Sequence, residues 1–357
     1  MEEYGFGKKM TRRPSKTITI KTVAELAGVS PMSVSNVLNN RHKVRESTRQ
    51  AVMDAVKTLN YSLNPAAKSL AGSGMTRIGL MYRNIENAFL SSILIGSLET
   101  TNRMGAQLLL QPLEVGDAGE VAAGIQTLIS NGANAILIAP PYCEIANSHG
   151  LTKDAPVPIV ALSPGDDLTD EYCIRIDDFA AARDMTRYLI SLGHKDIGFI
   201  RGARHHLISR TRRDGYIAAL QEAGIALRPE LIADGDMSFE SGLDAAQTLL
   251  SLAPRPTAIF ASNDDVAAAV TSLAHRQGLD VPHDLSVAGF DDTPIAVKIW
   301  PALTTVRHPG ARIASEAATL GIMLARGGDA PAKSATHLDY MLAVRESTAP
   351  PRRSEDH

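Results

Sequence analysis

TIKTVAELAGVSPMSVSNVLN, residues Thr19 to Asn39, decides how this chain is read. It opens with a short amphipathic helix in which Val23, Ala24, Leu26 and Ala27 are apolar. Gly28 stands where that helix must stop and reverse, at a backbone conformation that costs glycine little. Ser30 is suited to cap a second helix, and Pro31 to be its first residue, because the N–H that proline lacks has no helical partner there anyway. Val34, Val37 and Leu38 then face inward, leaving Met32, Ser33, Ser35, Asn36 and Asn39 outward. Two small helices crossing on a tight turn, the second presenting polar side chains, form a helix-turn-helix of the DNA-reading kind. The other reading of the same pattern is a pair of ordinary short core helices.

The charge distribution separates those readings. The formal net charge is −3, but residues 1–75 hold twelve Lys and Arg against five Asp and Glu, and the remainder holds 24 against 34. A basic head on an acidic body fits a phosphate-binding module joined to something else. A chain of 357 residues, 44% hydrophobic, allows two or three domains with ample core. The charged N-terminus has no apolar stretch to serve as a signal peptide and no run approaches a membrane span, so the expected location is the cytoplasm. Cys143 and Cys173 lack metal-ligand spacing and are expected to be two buried thiols.

Outward from the helix pair, residues 1–16 read as a flexible basic leader. Glu46–Leu59 forms a third helix with Val52, Val56 and Leu59 on one face. Tyr61–Pro65 is an extended connection, and Ala66–Ala71 is a helical stretch too short to be stable alone, able to order on a partner. From Arg77 onward, strand-like runs at Ile78–Tyr82, Gln107–Leu110, Ala135–Ala139, Ile159–Leu162, Ile197–Ile200, Ala258–Phe260 and Val287–Phe290 alternate with helical segments. Such alternation predicts an α/β body of parallel sheets with crossover helices, and its extent predicts two similar lobes.

Together with the opening motif, NPAAKSLAG (Asn64–Gly72), RIGLMY, NAFL (Asn87–Leu90), ISLGHKDIGFI (Ile190–Ile200), TRRDGYIAALQEAGI (Thr211–Ile225), TAIFASNDDVA (Thr257–Ala267), SVAGFDDTPIA (Ser286–Ala296), PALTTVRHP (Pro301–Pro309) and RESTAPP recur in one order. The chain resembles the lac-repressor/galactose-repressor family of bacterial transcription regulators over about residues 17–351. The resemblance implies an all-α helix-turn-helix head at 17–62 and a hinge helix and linker at 63–76. A two-lobed effector domain like a periplasmic binding protein follows at 77–350, with a tail at 351–357. The first lobe is expected at about 77–175 plus 307–337, and the second at about 178–304 plus 338–348.

In such proteins the second helix enters the major groove, which puts Pro31, Met32 and Asn36 near base edges. Pro31 and Met32 can offer apolar contact to a thymine methyl, and Asn36 can bond an adenine edge in bidentate fashion. The family most often carries Arg at the Asn36 position, so the operator is expected to differ from the common one. Thr19, Ser30, Ser33, Ser35, Asn39 and Thr48 match phosphate-contacting positions, although each is also a good cap or solvated hydroxyl. Arg45 stands where relatives usually have a Ser or Thr cap, and a slightly shifted start of the third helix is expected. Leu70 matches the hinge leucine that wedges into the minor groove; the alternative is packing against the effector domain. Paired hinges imply a homodimer on a pseudo-palindromic double-stranded operator. The chain lacks an added C-terminal heptad segment, so nothing in it supports a lac-type tetramer.

For the body, the resemblance puts Arg212, Asn263 and Asp291 on the effector. A carboxylate accepts two neighbouring hydroxyls, an amide donates and accepts, and a guanidinium donates in a planar fork, a trio suited to a polyhydroxylated neutral ligand such as a sugar. Phe89, Leu90 and Met237 match an apolar wall, and His308 stands where relatives often have Gln. The acidic doublets Asp177-Asp178, Asp264-Asp265 and Asp291-Asp292 are read as one member facing the cleft and one capping a helix, rather than as metal ligands. His205-His206 is read as exposed loop. No cofactor and no metal are expected. The sequence thus predicts a regulator, not an enzyme, most simply a repressor of sugar-catabolic genes released by a sugar inducer. Purine corepression is the alternative within the family. A sugar-binding protein or sugar enzyme without DNA function would leave residues 17–72 unused.

Overall fold

The structure is a computed structural model that describes residues 20–38, 44–59, 75–83, 88–114, 116–153, 155–204 and 206–352. It divides into two units, Met1–Met75 and Thr76–His357. In the first, α1 (Ile20–Ala27), α2 (Pro31–Leu38) and α3 (Glu46–Thr58) close a small core of Val23, Ala24, Val34, Val37, Val52 and Ala55, with Val56 and Leu59 packed against it. Leu26 lies outside that core, 53% exposed. The turn follows the sequence logic. Gly28 takes φ 65°, Val29 N donates back to Ala24 O, and the Ser30 hydroxyl accepts from Ser33 N at 3.1 Å. Ser30→Ala is expected to destabilise the head by about 1 kcal/mol, read as faster hydrogen exchange at the α2 amides.

The displaced start of α3 does not occur. Arg45 takes an extended conformation with no side-chain cap, and its carbonyl accepts the first helical bond from Arg49 N at 3.0 Å. Glu46 in the first turn supplies a negative charge where the helix dipole favours one. Thr19, Asn39, Leu70 and nearly all of the expected hinge lie outside the described residues, as do the side chains of Ser35 and Leu38.

The second unit holds two six-stranded sheets. One has the order β11-β5-β4-β3-β1-β2, from β1 (Arg77–Arg83), β2 (Gln107–Leu113), β3 (Ala135–Ile138), β4 (Ile159–Leu162), β5 (Tyr172–Arg175) and β11 (Ala335–His337). The other has the order β12-β10-β9-β8-β6-β7, from β6 (Ile197–Arg201), β7 (Ile232–Asp234), β8 (Ala258–Ala261), β9 (Ser286–Asp291), β10 (Thr304–Arg307) and β12 (Met341–Ala343). Every pairing is parallel except β10 with β12. Helices α4 (Ala88–Arg103), α5 (Ala118–Ser130), α6 (Tyr142–Ser148) and α11 (Gly310–Ala325) accompany the first sheet. Helices α7 (Asp178–Ser191), α8 (Leu207–Glu222), α9 (Phe239–Leu250) and α10 (Asp264–Arg276) accompany the second. The chain crosses between sheets after β5, after β10 and after β11.

The central strands are buried along nearly their whole length, as parallel strands covered on both faces must be. Phe199 stacks on Tyr216 with centroids 5.0 Å apart and meets Phe260 edge-on at 5.4 Å, anchoring the second lobe's core. Cys143 and Cys173 are free and buried, and burial raises both thiol pKa values, that of Cys173 to about 11. In both sheets the strand order reverses beside the first strand, β1 or β6, so the carboxyl ends there open a crevice suited to ligands.

Candidate functional site

Arg212 organises the crevice. It lies in the second turn of α8, 3% exposed, and the protein fixes its guanidinium on several sides. Nε donates to Asp178 Oδ1 at 2.9 Å and Nη1 to the Ser262 carbonyl at 2.7 Å. The Phe290 ring lies 3.5 Å beneath the guanidinium carbon, and Nη2 stands 3.8 Å from Asp291 Oδ1. A fork held this way needs no ordering when a ligand arrives. Asp178 is completely buried as the first residue of α7, while Asp177 caps that helix by accepting from Ala180 N. Burial raises the Asp178 carboxyl pKa against the opposing pull of Arg212.

Asp291 ends β9 with φ 107°, a region that side chains rarely adopt and that marks functional sites. Burial raises its pKa well above the ordinary carboxylate range, Arg212 opposing. Asn263 follows β8 and caps α10: its Oδ1 accepts from Val266 N at 3.0 Å and its Nδ2 donates to the Met237 carbonyl at 2.9 Å. One amide hydrogen and one lone pair remain for a ligand. Met237 sits at φ 78° in the loop after β7.

Phe89, Arg212, Met237, Asn263 and Asp291 line one cavity of about 90 Å³. Arg83, Pro140, His206, Ile208 and Asp236 complete its wall. Sequence reading missed these five, although Arg83 and Pro140 stand at strand carboxyl ends, where such sites form. His206 is a correction: it lines the cleft and is half-buried, because the loop after β6 opens onto the crevice rather than outward. Leu90 does not join the wall. It lies one residue beyond Phe89 near the start of α4, and a 100° helical step turns it off the cavity.

His308 lines an adjoining compartment instead, 7% exposed, with its ring edge-on to Phe89 at 5.4 Å. Its Nε2 lies 3.2 Å from Ser163 Oγ. Burial, and then the Arg212 charge, lower its pKa to about 3, partly offset by its own carbonyl. A depressed folded pKa makes this contribution to stability complete above pH 6.5 and lost as pH falls toward 3. At pH 5 the loss is about 2 kcal/mol. His308→Gln is therefore expected to reduce the stability drop between pH 7 and pH 5 by about that amount, read by urea unfolding at both values. The raised carboxylates Asp178, Asp264 and Asp291 act in the opposite direction in both proteins, so the comparison isolates His308.

The acidic doublets brace the site. Asp264 accepts from Thr293 N at 2.6 Å and from the Thr305 hydroxyl at 2.6 Å, and burial raises its pKa to about 6. Asp292 is held at 2.6 Å by both Arg307 and Arg345, tying the end of β9 to the end of β10 and to the stretch after β12. Only the Asp177-Asp178 doublet supplies a helix cap; α10 is capped by Asn263 and the third doublet caps nothing, which corrects the sequence expectation.

On the head, Pro31 and Met32 are exposed, Met32 by 73%, at the start of α2, with Asn36 half-buried one turn on. The Ser30 and Ser33 hydroxyls lie 3.0 Å apart, and Thr48 is half-buried in the first turn of α3. Among the described residues no helix is long and apolar enough to cross a membrane.

A helix-turn-helix unit joined in one chain to a two-sheet body with a cleft at its strand ends defines a DNA-binding regulator controlled by a small ligand. Residues 19–64 match the bacterial regulatory proteins of the lacI family, and residues 186–348 match the periplasmic binding protein-like domain. The chain is 34% identical over 311 residues to the HTH-type transcriptional regulator GalR of Escherichia coli (strain K12), covering 86% of this chain and 89% of that one. It is 33% identical over 311 residues to the HTH-type transcriptional repressor PurR of Actinobacillus pleuropneumoniae serotype 3 (strain JL03), covering 86% and 90%. Among solved structures, the lac repressor dimer bound to operator and the anti-inducer ONPF superposes with TM-score 0.76 at 25% identity, covering 94% of this chain and all of that one. The chain belongs to the lacI family of bacterial regulatory proteins. Its members are transcriptional regulators rather than enzymes, acting as dimers on DNA operators in response to small-molecule effectors.

Proposed function

We propose that this protein is a cytoplasmic repressor of sugar-catabolic genes, released from its operator when a sugar enters the cleft between the lobes. The observation that carries this reading is the convergence of Arg212, Asn263 and Asp291 on one cavity, with Phe89 and Met237 as its apolar wall. A fixed guanidinium fork, a half-engaged amide and a carboxylate match the donors and acceptors of adjacent hydroxyls. Sugar bound there favours a state in which the paired hinges separate and DNA is released. It must bind that state more tightly than the DNA-bound one, because a ligand of equal affinity shifts nothing. Pro31, Met32 and Asn36 select the bases, Ser30, Ser33, Ser35, Thr48, Thr19 and Asn39 set the register on phosphates, and Leu70 is the minor-groove wedge.

The similarity to PurR, together with the Phe89–His308 aromatic pair beside the cleft, supports a second reading in which a flat purine strengthens operator binding. Thermal-shift screening against sugars and nucleobases separates the two. The first reading expects one sugar to raise the melting temperature of the parent and not of Asp291→Ala. A nucleobase alone giving that pattern supports the second.

A further inference from the structure

Behind Phe89 lies a second compartment of about 320 Å³, sharing only Phe89 and Asp291 with the Arg212 cavity. Its back wall is the start of α11, a 16-residue helix with Pro309 at its N-cap, no side-chain cap and no acidic residue in its first turn. Ile313 N already bonds Pro309 O, so the Ala311 and Arg312 N–H groups have no acceptor within the helix. The helix dipole adds a partial positive charge at the same place. Gly310 lets the start of α11 pack closely on Ser92 and His308: a Cβ there would stand 2.5 Å from Ser92 Oγ and 3.7 Å from His308 Nδ1.

A second feature, independent of the helix, points into the same space. His308 is more than nine-tenths buried, and its Nδ1 makes no hydrogen bond. In the tautomer in which the Ser163 hydroxyl donates to His308 Nε2, the ring proton resides on Nδ1, a donor at the wall of the compartment. Of the two carboxylates on the wall, Asp292 is paired with Arg307 and Arg345, and Asp291 shares Arg212 with Asp178. Arg312 is exposed at the rim and joined to no carboxylate among the described residues, which leaves its guanidinium available to an anion.

We propose that this compartment binds a phosphate group, taken by the Ala311 and Arg312 N–H groups, the Arg312 guanidinium and His308 Nδ1–H. The inference stands on this geometry and holds whichever ligand occupies the Arg212 cavity. The phosphate belongs either to a phosphorylated effector reaching past Phe89 or to a separate phosphate ion.

The test is calorimetric titration of the full-length protein with inorganic phosphate, glucose and glucose 6-phosphate, in the parent, Arg312→Glu, Asp291→Ala and, as control, Arg276→Glu at the exposed end of α10. At least one phosphate-bearing probe is expected to bind the parent and Arg276→Glu equally, and Arg312→Glu at least tenfold more weakly. Glucose 6-phosphate weakened by both Arg312→Glu and Asp291→Ala identifies a phosphorylated effector. Inorganic phosphate binding that survives Asp291→Ala identifies a separate ion. Equal phosphate and glucose 6-phosphate binding, or none, in parent and Arg312→Glu overturns the proposal. If a neutral sugar still binds in an Asp291-dependent way, that result leaves the effector reading intact.

Discussion

Arg212→Leu is expected to destabilise the body by about 3 to 5 kcal/mol and to abolish the response to effector. Among the described residues the guanidinium is the only cation bonded to Asp178, which is completely buried and has one carboxylate oxygen already without a hydrogen bond. Removing the cation leaves that carboxylate to be protonated or to stay buried and uncompensated, and it strips Asp291 of its counter-charge as well. The Phe290 ring and the Ser262 carbonyl lose their partner in the same step. Urea unfolding of the full-length chain, following the body's transition, reads the loss. The double variant Arg212→Leu with Asp178→Leu removes the stranded charge and is expected to regain much of the stability, but none of the effector response. A single variant as stable as the parent would show that the pair is not the keystone of the cleft.

Gly165→Ala is expected to separate ligand binding from folding. Gly165 lies in the loop after β4, held on its own lobe by Glu144 through its N–H and by Arg175 through its carbonyl. Across the crevice, a Cβ on Gly165 would meet the α8 backbone, 2.7 Å from both Ile208 Cα and the Leu207 carbonyl carbon, where real side chains essentially never sit. Because the loop is pinned, the start of α8 must yield, and that turn carries Ile208, with Arg212 one turn further on. The cores of both lobes lie away from this contact, so the stability cost is held to about 1 to 3 kcal/mol. Effector affinity is expected to fall at least tenfold. Unchanged affinity would mean that the ligand-bound arrangement does not use this close approach.

The contrast between these residues shows which parts of the site the sequence carries. Arg212, Asn263 and Asp291 were legible because each stands at a strand's carboxyl end or one turn into the following helix, inside a recognisable motif. The head was legible for a different reason: Gly28, Ser30 and Pro31 each have a local mechanism for their turn and cap, and the structure realises it. The seven strand cores likewise stood out as apolar runs. Strands such as β7, β11 and β12 did not, being three residues long at or near sheet edges with mixed burial.

What stayed hidden depends on contacts between distant segments. Asp178 reads as an ordinary helix-start residue until α7 packs on α8, where Gly215 lets the backbones approach: a Cβ on it would lie 3.0 Å from Arg183 N. Arg83, Asp236 and His206 join one cavity only because loops from two sheets meet there. Asn263 was expected on the effector, and its second duty was hidden: half of its amide holds α10 and the Met237 loop. The α3 start was misjudged because a backbone carbonyl, invisible to residue-type reasoning, suffices to begin that helix.

Operator release by sugar is the property to measure. Full-length protein would be titrated onto a pseudo-palindromic operator selected from a random pool, in a gel-shift assay at fixed salt, with and without each sugar of the panel. One sugar is expected to weaken binding by the parent at least tenfold and to leave binding by Asp291→Ala unchanged. A panel in which no sugar weakens binding while a nucleobase strengthens it would contradict release by sugar.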